Sequence, residues 1–184
     1  FVVFVTGGSQ GAASLNAAAV GLGARWAGRD DVRVVLKTGR AHHDQIQADV
    51  DAAGGAGVVL PVSFFERIED AYAAADLCIS RAGAGTVAEL AAVGLPSILV
   101  PYPHAPGDHQ AINAGGLVRA GGAVLVRDHD ATAGVLGPMV EELIAAPDNL
   151  ADMAERARLA GRPDAADDLA RWVLDLAARP TRED

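Results

Sequence analysis

Three short stretches of the sequence carry residues suited to holding an anionic ligand, and the first lies almost at the start of the chain. It reads VTGGSQGAASLN, from Val5 to Asn16. Consecutive glycines let a backbone approach a ligand closely, and the following helix offers unpaired N–H groups. The hydroxyl of Ser9 is a suitable donor to a phosphate oxygen. The stretch matches neither G-x-G-x-x-G nor G-x-x-x-x-G-K-[ST], so alone it also fits an ordinary strand-to-helix turn.

The second stretch, SRAGAGTVAELAAVGLP from Ser80 to Pro96, has the same general form. A predicted strand ends at Ser80, and a helix is predicted to begin near Gly85 or Thr86, with Thr86 able to cap it. This makes a second anion site. Glu89 lies one turn into the helix. The helix dipole favours a carboxylate at this position, which would explain Glu89 without any ligand. The same carboxylate could equally accept hydrogen bonds from two ribose hydroxyls.

The third stretch, VPYPHAPGDHQAINAGG from Val100 to Gly116, is longer than a simple turn requires. Asp108, His109 and Gln110 open the next helix, and all three can hydrogen-bond a polyhydroxyl ligand. Alternatively, Asp108 serves only as the helix N-cap. His104 and His109 have no cysteine or carboxylate partner at the usual ligand spacing, so no metal site is predicted.

Two phenylalanines follow the third predicted strand and supply flat apolar surface. Phe64 and Phe65 are half of the four phenylalanines in the chain. Such a surface suits a nucleobase, and ordinary core packing explains at least one of the two rings equally well.

Composition limits the class of protein. The chain has 184 residues, of which 51% are hydrophobic, and a mean hydropathy of +0.20, which is enough for one substantial core. The net charge of −9 provides no basic surface for nucleic acid. The single cysteine, Cys78, excludes an intrachain disulfide. No apolar run approaches the roughly 20 residues that span a bilayer. Residue 1 already lies inside a predicted strand, so we expect the later part of a longer protein.

Short runs that are apolar on both faces alternate with helical patterns along the first 126 residues. This alternation predicts a Rossmann-like, doubly wound parallel α/β sheet of about six strands with helices on both faces. Three further helices are predicted after Asp128, at Thr132–Ala145, Asn149–Ala160 and Asp164–Ala178. Ligands bind such sheets at the carboxyl ends of the strands, so the loops after strands one, four and five should converge. The predicted strands are Val2–Val5, Val32–Lys37, Val58–Val62, Leu77–Ser80, Ser97–Pro101 and Ala123–Val126.

Together these stretches resemble the C-terminal, donor-binding half of GT-B glycosyltransferases. Within that group they are most similar to the peptidoglycan enzymes that add N-acetylglucosamine to lipid-linked N-acetylmuramyl-pentapeptide. The resemblance is carried by GGSQGA.SLN at 7–16, SRAGAGTVAELAAVGLPSILVPYP at 80–103, DHQAINA at 108–114 and MAERAR at 153–158. The order and spacing of the first three motifs are specific, although each alone is a weak signal.

The resemblance implies UDP-N-acetylglucosamine as donor, inversion at the anomeric carbon, and no cofactor or metal. It implies that Ser9 meets the diphosphate, that Glu89 holds the ribose, and that backbone groups at Phe65 read uracil. The backbone around Ala84, Gly85 and Thr86 would cradle the α-phosphate. His109 and Gln110 would face the sugar and diphosphate. His109 stands where other members carry glutamine. The implied donor-binding residues are Gly8, Ser9, Gln10, Phe65, Ala84, Gly85, Thr86, Glu89, His109 and Gln110.

The resemblance also implies that the full protein has two domains with different tasks. Residues 1–163 would form the donor domain, and residues 164–184 a helix and tail that pack back toward an N-terminal acceptor domain. That other domain would bind the lipid-linked acceptor at the cytoplasmic face of the membrane and supply the general base. No catalytic residue is assigned in this chain, which we expect to bind the donor without transferring the sugar.

Other classes remain open from the residues alone. A related GT-B enzyme with another acceptor, a UDP-sugar epimerase or a non-catalytic nucleotide-binding module would share much of this pattern. An NADP-binding oxidoreductase domain is favoured by Lys37 and Arg40, which follow the second strand where a 2′-phosphate would sit. The unmatched glycine fingerprint opposes that last alternative.

Overall fold

The computed structural model describes residues 1–8 and 11–178, and its centre is a six-stranded parallel sheet. The strands lie in the order β3-β2-β1-β4-β5-β6, and every neighbouring pair is parallel. The predicted Rossmann-like doubly wound α/β fold is therefore confirmed. The strands are β1 Val2–Thr6, β2 Arg33–Lys37, β3 Val59–Val62, β4 Leu77–Ser80, β5 Ser97–Leu99 and β6 Ala123–Leu125.

Helices connect the strands and continue beyond the last one. Short 3-10 turns at 40–42, 106–108 and 128–130 precede three of them. The helices are α1 Ala13–Arg25, α2 His43–Ala52, α3 Ile68–Ala74, α4 Ala84–Val93, α5 His109–Ala120, α6 Ala133–Ala145, α7 Pro147–Ala160 and α8 Ala165–Ala177.

The sheet separates two hydrophobic cores. Successive side chains of a strand point to opposite faces, so Val3 and Val5 enter one core and Phe4 enters the other. The first core lies under α1 and α6 and includes the fully buried Trp26. The second includes Tyr72 from α3. Covering helices on both faces explain why most strand residues are apolar whichever face they point to.

Two helix starts differ from the prediction. α4 begins at Ala84 with Gly83 as its N-cap, so Thr86 is the third helical residue and does not cap the helix. Glycine at this position adopts the extended backbone that an N-cap requires. α7 begins at Pro147, two residues before the predicted start, because proline fits the first helical position, where its absent N–H is not needed.

The last helix presents its apolar side chains to solvent. No residue of α8 between Ala165 and Ala177 is buried, and Trp172 is 69% exposed. Leu169, Val173, Leu174 and Leu176 are also exposed. Among the residues described, no helix is both long and apolar enough to cross a membrane.

Candidate functional site

An open cavity of about 470 Å³ lies where the strand order reverses, between β1 and β4. Loops after β1, β4 and β5 form its walls, and Asp128, which follows β6, completes the lining. These are the loops that the sequence predicted to converge. The lining residues are Gly7, Gly8, Gly11, Ala12, Ala13, Ser14, Arg81, Gly83, Thr86, Tyr102, Pro103, His104, Gln110 and Asp128.

The loop after β1 needs glycine for its backbone shape. Gly8 and Gly11 adopt φ values of +88° and +76°, a region that other L-residues rarely occupy. A Cβ on Gly11 would also overlap the carbonyl of Thr38. The loop thus brings bare backbone to the cavity wall just before α1. Ser9 and Gln10 lie outside the described residues, and their proposed contacts with the donor stay predictions.

The N-terminus of α4 supplies a second set of donors. The N–H of Val87 reaches back to the carbonyl of Gly83 at 2.9 Å, which closes the first helical turn. The preceding N–H groups of Ala84, Gly85 and Thr86 have no acceptor within the helix. Gly83 and Thr86 line the cavity, so this end of α4 faces it with unpaired donors and the positive end of its dipole. Such an arrangement suits a phosphate.

Glu89 is not one of the residues that line the cavity, and its carboxylate is held by a tyrosine. Its Oε2 accepts a hydrogen bond from the hydroxyl of Tyr72 at 2.8 Å. Burial raises the pKa of Tyr72 far above its usual value, and the neighbouring carboxylate raises it further. The phenol is therefore a permanent donor. The other oxygen, Oε1, lies 4.0 Å from where a Cβ on Gly85 would be, so the carboxylate folds back along the first turn of α4.

The two phenylalanines have separate surroundings. Phe65 is partly buried and packs edge-on against Phe4, with 5.7 Å between ring centroids. Phe64 is exposed and lies under the guanidinium of Arg40, 4.5 Å from the ring centroid. Lys37 lies over the same ring at 5.8 Å. The side chain of Phe65 is thus occupied by core packing, which leaves its backbone as the part available to a ligand.

Gln110 lines the cavity, whereas His109 does not. The side-chain oxygen of Gln110 accepts hydrogen bonds from the N–H groups of Ala82 at 3.1 Å and Tyr102 at 2.9 Å. Because both partners are donors, the amide orientation follows, and the Nε2 donors remain for a ligand. The exposed His109 places Nδ1 2.9 Å from the carbonyl oxygen of Pro106.

Arg81 is a site residue that the sequence did not reveal. Its side chain is only 12% exposed, and Nη1 pairs with Oδ1 of Asp128 at 2.6 Å. Nη2 donates to the hydroxyl of Ser14 at 2.9 Å, and that hydroxyl donates to the same carboxylate oxygen at 2.6 Å. The only local signal was an arginine immediately after β4; its partner lies 47 residues away.

Arg81 and Asp128 form an ion pair with no net charge at the cavity wall. Burial raises the pKa of Asp128, but the hydrogen bonds from Ser14 and Arg81 outweigh it and hold the pKa below its ordinary value. The guanidinium also lies 5.6 Å from the centroid of the Tyr102 ring. Across residues 1–8 and 11–178, no three His, Cys, Asp or Glu side chains cluster closely enough to hold a metal ion.

A parallel sheet with a glycine-rich loop and a helix N-terminus meeting at its switch point has the architecture in which doubly wound α/β domains bind their ligands. Residues 2–169 match the glycosyltransferase family 28 C-terminal domain, and the chain belongs to that family. The resemblance drawn from the sequence motifs is thereby confirmed.

Individual relatives agree with this assignment. The chain is 45% identical, over 98% of its length, to the UDP-N-acetylglucosamine–N-acetylmuramyl-(pentapeptide) pyrophosphoryl-undecaprenol N-acetylglucosamine transferase of Burkholderia ambifaria (strain MC40-6), covering 49% of that protein. It is 44% identical, over 97% of its length, to the transferase of the same name from Rhodococcus opacus (strain B4), covering 45%. The crystal structure of Acinetobacter baumannii MurG superposes with a TM-score of 0.82 at 30% identity, over 95% of this chain and 52% of that one. The chain therefore spans about half the length of the curated relatives it matches.

Proposed function

We propose that this chain is the donor-binding half of an inverting glycosyltransferase that transfers N-acetylglucosamine from its UDP-linked donor to lipid-linked N-acetylmuramyl-pentapeptide, the step from lipid I to lipid II of peptidoglycan synthesis. The observation that carries the proposal is the meeting of two donor-rich backbone segments at the sheet switch point, in a chain 45% identical to transferases of that name.

The geometry suits the chemistry of the donor. Departure of UDP places negative charge on the β-phosphate, and the N-termini of α1 and α4 face the cavity where that charge would develop. Preorganised N–H donors and dipoles stabilise such charge without rearranging during the reaction. The hydroxyl of Ser9, which we propose contacts the diphosphate, would add a further donor. These protein groups together would favour the leaving diphosphate more than the intact donor.

Each part of the donor has proposed partners. The loop after β1 would hold the diphosphate, the first turn of α4 the α-phosphate, and Glu89 the ribose hydroxyls. Backbone groups at Phe65 would read uracil, while the start of α5 would meet the sugar. The proposed donor-binding residues are Gly8, Ser9, Gln10, Phe65, Ala84, Gly85, Thr86, Glu89, His109 and Gln110.

The remaining steps would belong to a second domain of the kind that makes the relatives twice as long. We propose that it binds the lipid-linked acceptor at the cytoplasmic membrane face and supplies the general base. Residues 1–163 would be the donor domain and 164–184 the segment that packs on the second domain. The exposed apolar side chains of α8 support this division.

Calorimetry on the chain tests the donor assignment directly. We expect UDP and UDP-N-acetylglucosamine to bind in buffer containing EDTA. Glu89→Ala should weaken both by about tenfold, because one charge-assisted hydrogen-bonding site is lost. Glu142→Ala removes an exposed glutamate of α6 outside the cavity and should change neither affinity. Tighter binding of NADPH than of UDP would contradict the proposal and favour the oxidoreductase alternative.

A further inference from the structure

Tyr72 is a buried residue with a polar end directed at the proposed ribose site. It lies on α3 and is 6% exposed, while Glu89, on α4, is exposed. The hydroxyl donates to Oε2 of Glu89 at 2.8 Å. A tyrosine that packs its ring in the core and directs its hydroxyl to a surface carboxylate can fix that carboxylate in place.

The ring of Tyr72 has a rigid support. It packs edge-on against the fully buried Phe4, with 5.8 Å between centroids and 76° between planes. Phe4 also packs against Phe65 at 5.7 Å. One core residue of the central strand β1 therefore supports both the tyrosine beside the proposed ribose site and the segment proposed to read the base.

A fixed carboxylate recognises a ribose better than a mobile one. A glutamate on an exposed helix face samples several rotamers, and binding a ligand costs the entropy of restricting them. The bond from Tyr72 restricts the rotamers in advance and occupies one lone pair of Oε2. Oε1 then remains open for the adjacent 2′- and 3′-hydroxyls of a ribose, which are both hydrogen-bond donors.

We infer that Tyr72 is a positioning residue, which holds the Glu89 carboxylate in the geometry that reads the ribose hydroxyls of the donor nucleotide. The inference rests on the proposed function, because it concerns the same nucleotide site. Tyr72 itself touches no nucleotide atom in this role, and its contribution passes through Glu89.

The test is Tyr72→Phe, which removes one oxygen and keeps the ring against Phe4. Calorimetry with UDP and with 2′,3′-dideoxy-UDP separates positioning from packing. We expect the variant to bind UDP about three- to tenfold more weakly, the effect of one net hydrogen bond. It should bind the dideoxy analogue as the unchanged chain does. In a Glu89→Ala background, the same substitution should have no effect on UDP.

Equal weakening toward both nucleotides would show a packing role and overturn the inference, as would an unchanged affinity for UDP. A thermal unfolding curve of the variant accompanies the titrations. Should Tyr72→Phe not fold, Glu89→Asp withdraws the carboxylate by one methylene and leaves the core intact. Glu89→Asp should weaken the binding of UDP but not that of 2′,3′-dideoxy-UDP. An equal loss of affinity for the two nucleotides would overturn the inference. Failure of the unchanged chain to bind UDP would instead refute the proposed function.

Discussion

The side-chain oxygen of Gln110 joins two loops of the cavity, because it accepts from the N–H of Ala82 after β4 and from that of Tyr102 after β5. The sequence resemblance assigned Gln110 to the sugar and diphosphate. The structure adds a positional role, and it leaves the two Nε2 hydrogens as the groups that a ligand can use. A substitution here would therefore change the shape of the cavity as well as its chemistry.

The ion pair between Arg81 and Asp128 leads to a prediction about a single residue. Asp128→Asn keeps the shape but leaves a cation that is 88% covered without its counter-charge, since its side chain is only 12% exposed. We expect a loss of about 1–3 kcal/mol in the free energy of unfolding at pH 7. Asp130→Asn, an exposed neighbour, should cost little and serves as the control.

The pH dependence of that loss has a definite sign. The pKa of Asp128 is lower in the folded chain than in the unfolded one. Its stabilisation is therefore complete above the unfolded value of about 3.9 and disappears as the pH falls through the folded value. Urea unfolding at pH 7 and pH 3 should show the Asn variant closer to the unchanged chain in acid. An equal difference at both pH values would contradict the expectation.

At the scale of elements, α1 and α6 are joined by one carboxylate. Glu141 of α6 accepts two hydrogen bonds from Arg25 at 2.8 and 2.9 Å and one from the indole of Trp26 at 2.7 Å. The bonds from Arg25, and next the bond from Trp26, lower the pKa of Glu141 to about 2. Since α1 also begins at the glycine loop, this contact helps to fix the helix that carries one wall of the cavity.

The contact of Glu141 with Arg25 and Trp26 should weaken over a definite range of acidic pH. The folded pKa of Glu141 lies below its ordinary 4.5, so its stabilisation is present above pH 4.5 and is lost as the pH falls toward 2. Glu141→Gln should unfold at a lower temperature at pH 7 and lose less stability between pH 5 and pH 3 than the unchanged chain. Fluorescence of Trp26 in a Trp172→Phe background reports the transition. A parallel loss of stability in both chains would contradict this.

At the scale of the whole molecule, the last two helices differ in what they give to the core. Ala157 of α7 is fully buried in the second core, whereas nothing between Ala165 and Ala177 is buried. Ending the chain after Pro163 should thus lower the midpoint of thermal unfolding by less than about 3 °C, the shift that 1 kcal/mol makes in a domain of this size.

The matched comparison is a chain that ends after Ala146, which also removes α7. It should lose much more stability, because the packing around Ala157 is lost and a cavity is left. Differential scanning calorimetry measures both truncations, and UDP titration of the first should match the full 184 residues. A large drop for the first truncation would refute the proposed boundary at residue 163.

Local sequence patterns predicted much of this molecule, but they did not predict which side chains pair with partners distant in the sequence. The glycine loop, the sheet class and the convergence of the loops after β1, β4 and β5 depend on residues close in sequence, so their types and spacing sufficed. The Arg81–Asp128 pair spans 47 residues and the Tyr72–Glu89 bond spans 17. Such partners are chosen by tertiary packing, and no periodicity records them. The helix start at Ala84 was misplaced because glycine replaced a polar side chain as the cap.

The position of β1 in the sheet has a consequence for how the domain assembles. β1 pairs with β2 on one side and with β4 on the other, and Val3 lies opposite Leu77, more than seventy residues away in the chain. Non-local parallel pairing of this kind forms slowly, because the intervening loop must close first. The cavity between β1 and β4 is therefore a late event in folding. A chain emerging from the ribosome can form its glycine loop early, but the cavity is complete only after Asp128, the last residue that lines it, has followed.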